Sequence, residues 1–326
     1  MHNIFKEFIA EVIGTAILML LGISGCACTV LTKSPMNLAC GFGYAFGVVI
    51  ASVFAGPISG AHINPAITVA FTLIGKFQWR KVPIYLLAQY LGSFIGSTIA
   101  YSLYFEAMNT FDMENFFDKN LTLNNQQQPS MKMASIFITT PAEHLTLLPA
   151  MWDQIVSTGL LVYAILFIGD EMNTPKLLQT FTTGFIIFTF IIGFNFNCGA
   201  ILNPARDLAP RILLAFFGYN GRVFAHLNYN FWWAVGIVGP HLGAIIGAIS
   251  YYYSSKMRQS FIDDENMFQL NQVIQTKSIT SNAASPDNID HHNSSNHHRH
   301  QQQQHPSPLV TNLQMYQGKV NTEFQH

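Results

Sequence analysis

Charged residues are scarce in this sequence. Asp, Glu, Lys and Arg make up only 10% of its 326 residues, whereas a soluble domain carries about 25%. Hydrophobic residues account for 50% of the chain, and the mean hydropathy is +0.26. This composition excludes a wholly soluble globular fold, because too few charges are available to cover a water-facing surface.

Long runs of like charge are also missing. The 16 Lys and Arg residues nearly balance the 17 Asp and Glu residues, giving a formal net charge of -1. A protein that binds nucleic acid normally carries a basic stripe or patch, so nucleic acid is not an expected partner.

Cysteine is rare and shows no metal-ligand spacing. The four residues are Cys26, Cys28, Cys40 and Cys198, all within or beside apolar stretches. We therefore expect no metal site and no disulfide framework. Cys198 is interpreted as a small packing residue, with a mercurial target as the alternative. No nucleophile–base pair or nucleotide loop stands out, so we expect no enzyme, no catalytic residue and no cofactor.

Six apolar runs are long enough to cross a membrane as helices, which takes about 20 residues. The first run continues through small and apolar residues without a cleavage pattern, so it is interpreted as a span and not as a signal peptide. The predicted spans are 8–31, 37–56, 82–105, 151–169, 177–196 and 231–253.

Basic residues predict the orientation of these spans. They cluster after the second and sixth spans, at Lys76, Arg80, Lys81, Lys256 and Arg258. The positive-inside rule places both clusters, and hence both termini, on the cytoplasmic side. Three other basic residues oppose this bias: Lys33, Arg211 and Arg222.

An internal repeat carries the main functional signal. SGAHINPAIT at 59–68 aligns without gaps with CGAILNPARD at 198–207, and EVIGTAILML at 11–20 corresponds to QIVSTGLLVY at 154–163. Each half holds three spans, an odd number, so the second half enters the membrane in the opposite sense. The prediction is an all-α membrane protein built as an inverted repeat.

Each Asn-Pro-Ala reads as the start of a helix. Asn64 and Asn203 are the N-caps, and proline occupies the first helical position, where its missing N–H costs nothing. The remaining motif residues are Pro65, Ala66, Pro204 and Ala205. The apolar runs that follow are too short to span, so we expect two re-entrant half-helices beside a polar cavity.

The half-helices suggest a chemistry. If each Asn oxygen is held by its own helix, the amide NH₂ groups become donors that meet near the midplane. The positive dipole ends of both half-helices point at the same place and repel cations. Neutral solutes would pass.

These motifs resemble the major intrinsic protein family, the aquaporins, and within it the aquaglyceroporin branch. The resemblance covers approximately residues 5–255 and rests on SGAHINPAIT and NCGAILNPARDLAPR. It implies a passive channel without coupling ions and a homotetramer with one pore per subunit.

The resemblance also implies a selectivity ring. Arg206 would lie at the outer constriction with Tyr44, Ala200 and a residue of the fifth span, either Ile191 or Gly193. Backbone carbonyls of two extended segments, 60–63 and 199–202, would line the path. Tyr44 departs from the Phe or Trp more usual in the branch.

Other residues are assigned supporting roles by the same resemblance. Asp207 is typical of the glycerol-conducting members and is expected to brace an outer loop through Arg211. Glu11 is expected to hold the first re-entrant loop near His62, and Gln154 is its neutral counterpart in the second half.

The expected activity is passage of glycerol, other small polyols or urea, and water, with ions and protons excluded. A water-selective channel is the alternative if Tyr44 closes the ring. A junction or adhesion protein of the same fold is a third hypothesis, and a transporter is disfavoured because only Glu11 is available as a midplane acid.

The predicted organisation is a channel domain followed by a tail, in a multi-pass protein of the plasma membrane surrounded by lipid. Its parts are the channel domain 1–258, made of the first half 1–106, the extracellular loop 107–150 and the second half 151–258, and a disordered cytoplasmic tail 259–326. Asn120 in the outer loop begins an N-glycosylation sequon, a pattern that also arises often by chance.

Overall fold

A computed structural model describes residues 4–34, 37–115, 129–170 and 174–283. Every regular element within these ranges is helical. Among the described residues, six helical segments are long and apolar enough to cross a membrane, in agreement with the six predicted spans. The protein is therefore an all-α, multi-pass integral membrane protein.

The helices follow the predicted order. They are α1 (Ile4–Leu31), α2 (Leu38–Ser59), α3 (Pro65–Leu73), α4 (Val82–Asn115), α5 (Met131–Ala134), α6 (Leu147–Asp170), α7 (Lys176–Cys198), α8 (Pro204–Leu214) and α9 (Gly239–Ala283). A π-helical turn, Phe231–Val238, precedes α9. The short helices α3 and α8 begin at the two prolines of the repeat, as the sequence predicts.

Glycines set the close packing of the long helices in both halves. A side chain at Gly92 or Gly96 of α4 would clash with carbonyl oxygens of α1. Gly243 and Gly247 of α9 are equally close to carbonyl oxygens of α6. The two glycine pairs occupy corresponding places in the repeat, so the same backbone contact is built twice.

The outer loop contributes buried structure. The end of α5 and the turns after it, residues 133, 134 and 136–139, are buried. Ser130 caps α5 through its side chain, accepting from the Met133 N–H. The loop therefore dips into the helical bundle, where its backbone can reach the second half of the repeat.

One cysteine expectation is wrong. The structure joins Cys26 of α1 to Cys40 of α2 in a disulfide, with 4.1 Å between their Cα atoms. The packing of these two helices places the residues opposite each other, and their separation of 14 in sequence gives no hint of this. Cys28 is free and exposed, whereas Cys198 is free and buried.

The tail differs from its prediction in part. Residues 259–283 continue α9, although the sequence analysis assigns them to a disordered segment. No glycine or proline occurs between Lys256 and Ser285, so nothing interrupts the helix. The chain divides into two compact units, 1–264 and 265–326. The functional boundary at residue 258 stays a prediction.

Candidate functional site: the central cavity

The two Asn-Pro-Ala motifs begin their half-helices as N-caps. Asn64 Oδ1 accepts from the Ala66 N–H at 2.9 Å, and proline follows at the first helical position. Asn203 Oδ1 accepts from Ala205 at 3.0 Å and from Arg206 at 3.4 Å. Each amide is thus held by its own helix, which fixes the direction of its NH₂ group.

The two loops are also bonded to each other. Asn64 Nδ2 donates to the Leu202 carbonyl, and Asn203 Nδ2 donates to the Ile63 carbonyl, both at 2.9 Å. An amide carries two N–H donors, so each Asn retains one for another acceptor. Each amide therefore lies beside the opposite loop, and one donor of each joins the two halves.

The loop backbones before each Asn are non-helical, as expected, but they are not extended. In the first loop φ is +89° at Gly60, +50° at Ala61 and +44° at Ile63. Corresponding positions of the second loop repeat this pattern, with φ of +49° at Ala200 and +56° at Leu202. So many left-handed residues are incompatible with a regular strand, and the two loops share one irregular backbone path.

A narrow cavity of about 90 Å³ runs past these loops. It is lined by Asn64 and Asn203, by His62, and by loop and helix residues from both halves. Tyr44, Ala200 and Arg206 are all in its wall. Three of the residues predicted for the selectivity ring therefore come together at one cavity.

The fifth-span position falls on Ile191. Ile191 is buried and lines the cavity, whereas Gly193 is exposed on α7 and is not in the described wall of the cavity. A Cβ atom built at Gly193 would have no neighbour within 4 Å among the described residues, apart from the adjacent residues and the backbone of its own helix. Gly193 thus points away from the site, because helical residues two apart lie on different faces.

Arg206 is held at the end of the cavity that lies beside the segment predicted to be the extracellular loop, which is called the outer end here. Its Nη1 donates to the Phe137 carbonyl at 3.1 Å, and its guanidinium carbon lies 4.9 Å from the centre of the Tyr44 ring. An outer cavity of about 720 Å³ has Arg206 in its wall as well. The guanidinium therefore stands at the neck between the two cavities.

Asp207 and Arg211 form a fully buried ion pair beside this neck. Arg211 Nε donates to Asp207 Oδ2 at 2.6 Å, and both side chains are at most 1% exposed. Asp207 Oδ1 also accepts from the N–H and hydroxyl of Thr139, and Arg211 donates to the carbonyls of Thr139 and Val223. The pair ties two outer segments to α8, which is the brace that the sequence suggests.

Glu11 is surrounded by donors. Its Oε1 accepts from the Ser59 hydroxyl at 2.7 Å and from the His62 N–H at 2.9 Å. Its Oε2 accepts from the Ile63 N–H and from Gln89 Nε2, both at 2.8 Å. A buried carboxylate with four donors is satisfied where it stands. It holds the backbone of the first loop directly.

His62 occupies an aromatic enclosure at the edge of the cavity. Its Nδ1 lies 3.1 Å from the Thr68 hydroxyl. The rings of Phe71, Phe77 and Tyr85 surround it with centroid distances of 4.5–5.3 Å. These contacts fix the ring orientation, and the backbone N–H of His62 is itself one of the donors to Glu11.

Gln154 is the counterpart of Glu11 and makes a weaker brace. Its Oε1 accepts from the Leu202 N–H at 3.2 Å, and its Nε2 donates to Asp153 at 2.8 Å. Asp153 in turn accepts from Asn197 at 2.9 Å. The backbone of the second loop thus donates one hydrogen bond to a neutral amide, whereas the backbone of the first loop donates two to a carboxylate.

Some contributors to the site were not predicted. Gln89 is a polar residue inside an apolar span, a signal that could have singled it out. Phe137 and Thr139 act through the outer loop, whose sequence has no periodic pattern. Cys198 lies outside both cavity walls, with Sγ 3.7 Å from the Ala150 carbonyl, which favours the packing interpretation.

Two other features are glycosylation and metal binding. Asn120 lies outside the described residues, so its glycosylation stays a prediction. Within the described part of the chain there is no group of three or more His, Cys, Asp or Glu side chains that could hold a metal ion.

Comparison with known proteins decides the family. The sequence model of the major intrinsic protein family matches residues 1–251. The chain belongs to this family. The assignment agrees with the paired Asn-Pro-Ala loops and with the inverted repeat of helices described above.

Relatives within the family include aquaporin-10 and aquaporin-3 of Milnesium tardigradum. They are 34% and 35% identical over 77% and 81% of this chain, which spans 63% and 84% of their lengths. Human aquaporin-9 is 34% identical over 76% of this chain and 82% of its own. Among solved structures, the aquaglyceroporin from Plasmodium falciparum matches with a TM-score of 0.65 and 29% identity, covering 76% of this chain and 96% of that one.

Proposed function

We propose that this protein is a passive channel for glycerol, other small neutral solutes and water. The central observation is the pair of crossed Asn-Pro-Ala loops beside a cavity whose outer neck holds Arg206, Tyr44, Ala200 and Ile191. The relatives named aquaporin and the solved structure of an aquaglyceroporin support the same conclusion.

The ring suits a solute that is polar on one edge and apolar on the other. Arg206 offers guanidinium donors, and the Tyr44 hydroxyl finds no hydrogen-bond partner among the described residues. Ala200 contributes a single methyl group and Ile191 an aliphatic wall. Glycerol matches this arrangement because its hydroxyls and its C–H edge face opposite sides.

Charge selection follows from the same residues. No carboxylate belongs to the described wall of the central cavity, whereas Arg206 places a fixed positive charge at its neck. The N-terminal ends of α3 and α8 add positive partial charges near the two Asn side chains. Cations and protonated species would meet this barrier, and neutral solutes would not.

We also propose roles for the supporting residues. Glu11 and Gln154 hold the loop backbones so that carbonyls face the solute, and Asp207 keeps Arg206 and the outer loop in register through Thr139. His62 contributes a rigid wall on the inner side of the amides. In this view only the ring and the amides contact the solute.

Assembly and orientation complete the proposal. We place both termini in the cytoplasm, because Lys76, Lys81 and Arg258 follow the second and sixth spans and therefore lie on the same side of the membrane as the termini. The positive-inside rule assigns that side to the cytoplasm. The plasma membrane and a homotetramer with one pore per subunit fit the family. Crosslinking of the purified protein would test the tetramer.

Stopped-flow swelling of proteoliposomes tests the activity. We expect glycerol and water permeabilities well above those of empty vesicles, because the cavity offers both solutes a polar path. Fast water flow with glycerol at the lipid background would instead mean that Tyr44 narrows the ring, and the water-selective alternative would replace this proposal.

Arg206→Ala is the variant that tests the filter. Removing a charge-assisted hydrogen-bond donor worth about 1.5–3 kcal/mol should change the ratio of glycerol to larger polyol permeability roughly tenfold or more, and should raise proton leak. Arg80→Ala, which removes an exposed charge far from the cavity, is the matched control. Unchanged selectivity and proton exclusion in Arg206→Ala would contradict the proposed filter.

A further inference from the structure

The Cys26–Cys40 pair lies at the neck of the proposed pore. Cys40 is in the walls of both the central and the outer cavity, and Cys26 is in the wall of the outer one. Only three other residues of the described chain, Asn195, Gly199 and Arg206, line both cavities. The pair therefore borders the passage at the level where it is narrow.

The same helix contact carries Tyr44. Tyr44 lies one helical turn after Cys40 on α2, and its ring rests against Gly22, one turn before Cys26 on α1. Any group bound between the two sulfurs would therefore sit one layer outside the ring formed by Tyr44 and Arg206. It would face the solute path from the wall of the outer cavity.

Two cysteines held this close form a bidentate soft-ligand site when reduced. Their Cα atoms are 4.1 Å apart, so two thiols at these positions can reach one ion together. Soft thiolates select soft metal ions. The disulfide offers no thiolate, so only the reduced form can bind.

We propose that Cys26 and Cys40 form a redox-controlled site for thiophilic metal ions at the neck of the pore. An external low-molecular-weight thiol reduces the disulfide: two such thiols are oxidised to their own disulfide, and two protein thiols are formed. A divalent soft ion then replaces both thiol protons and bridges the two sulfurs. The bridged ion obstructs the path beside Arg206.

The remaining cysteines supply the control. Cys28 is exposed on α1, and Cys198 is buried and lines neither cavity in the described structure. The variant Cys28→Ser/Cys198→Ser keeps only the pair, and Cys26→Ser/Cys40→Ser keeps only the other two. Chemical reduction of the unmodified full chain needs no substitution and so does not depend on how a variant folds.

Mercuric chloride is the probe, and bound mercury per chain is the first readout. After the excess is removed, the reduced pair-only variant should retain about one ion per chain, and its oxidised form none. The Cys26→Ser/Cys40→Ser variant should not gain mercury upon reduction. Absence of retained mercury in the reduced pair-only variant would overturn the site.

Glycerol permeability is the second readout and rests on the proposed function. Mercury should lower it about tenfold in reduced vesicles, because an ion in the neck of a narrow pore blocks the path, and should leave oxidised vesicles unchanged. Excess dithiol should restore the flow. Bound mercury without loss of flow, or equal block of oxidised vesicles, would overturn the control of the pore.

The two readouts separate the hypotheses. A chain that conducts no glycerol before treatment contradicts the proposed function, while mercury retention still decides whether the site exists.

Discussion

Asp207 shows how much one buried charge organises. Its carboxylate is shared between Arg211 and Thr139, and Arg211 extends the network to Val223. Gly236 permits this approach, since a side chain there would lie 3.1 Å from Asp207 Oδ2. The residue lies next to Arg206 in sequence, so the brace and the proposed filter share one turn of helix.

Asp207→Asn should therefore destabilise the protein strongly. It leaves Arg211 as an uncompensated buried charge, a change that typically costs about 3–5 kcal/mol. Thermal unfolding of the detergent-solubilised protein measures the effect. Asp264→Asn, on the exposed part of α9, is the control and should change stability by less than about 0.5 kcal/mol.

An unchanged melting temperature in Asp207→Asn would contradict this role of the ion pair. If Asp207→Asn melted like the unmodified protein, the ion pair would not be the element that ties the outer segments to α8. Asp207→Leu/Arg211→Met should lose less stability than Asp207→Asn, because it removes both buried charges together.

The sequence predicts some of these residues and not others. Asn64, Asn203 and Arg206 stand in a gapless repeat, so their neighbourhood follows from the motif itself. Thr139 and Phe137 reach the site from a loop that returns into the bundle, and only the three-dimensional path brings them near. The choice between Ile191 and Gly193 depended on helix phase, which an apolar helix in lipid does not reveal by its pattern.

Among the helices, close backbone approach is the recurring device. Gly243 faces the Ile155 carbonyl and the Gly159 N–H of α6, so α9 and α6 touch without intervening side chains. In lipid no hydrophobic force brings helices together, and packing of this kind replaces it. The six spans could be predicted from hydropathy, whereas their contacts depend on these glycines.

Gly243→Ala should consequently lower thermal stability, because the new methyl group meets a carbonyl oxygen and forces α9 away from α6. Overpacking of this kind costs about 1–3 kcal/mol. Gly193→Ala is the control within another span. Its side chain meets open space, and alanine favours helix by about 1 kcal/mol, so stability should hold or rise.

Glycerol flow gives the second measurement on the same variants. Gly193→Ala should conduct as the unmodified protein does, because the residue faces away from the cavity. A loss of flow in this variant alone would contradict the assignment of Ile191 to the ring.

At the scale of the whole molecule, the two halves complete each other's site. The Asn64 and Asn203 amides each bond a carbonyl of the opposite loop, across 138 and 140 residues of sequence. Tyr44 comes from the first half, and Ile191, Ala200 and Arg206 come from the second. Neither half contains a complete cavity.

Co-expression of two fragments tests this dependence. Residues 1–125 and 126–326, the second with a cleavable signal sequence to export its N-terminus, should together restore glycerol uptake in cells. Each fragment alone should give none. Uptake by a single fragment would show that a pore forms without the crossed bonds.

The left-handed backbone of the two loops has a consequence for how this protein can change. Ala61, Ile63, Ala200 and Leu202 occupy conformations that cost about 1–3 kcal/mol each, and the costs are offset by hydrogen bonds such as those to Glu11. Laboratory evolution for heat resistance alone would favour glycine at Ala61 and Ala200, where only a methyl group is lost, but not at Ile63 and Leu202, whose side chains are buried in the core. The same glycines would let the loop carbonyls change direction. Variants selected in this way should therefore gain thermal stability and lose selectivity among solutes at the same time.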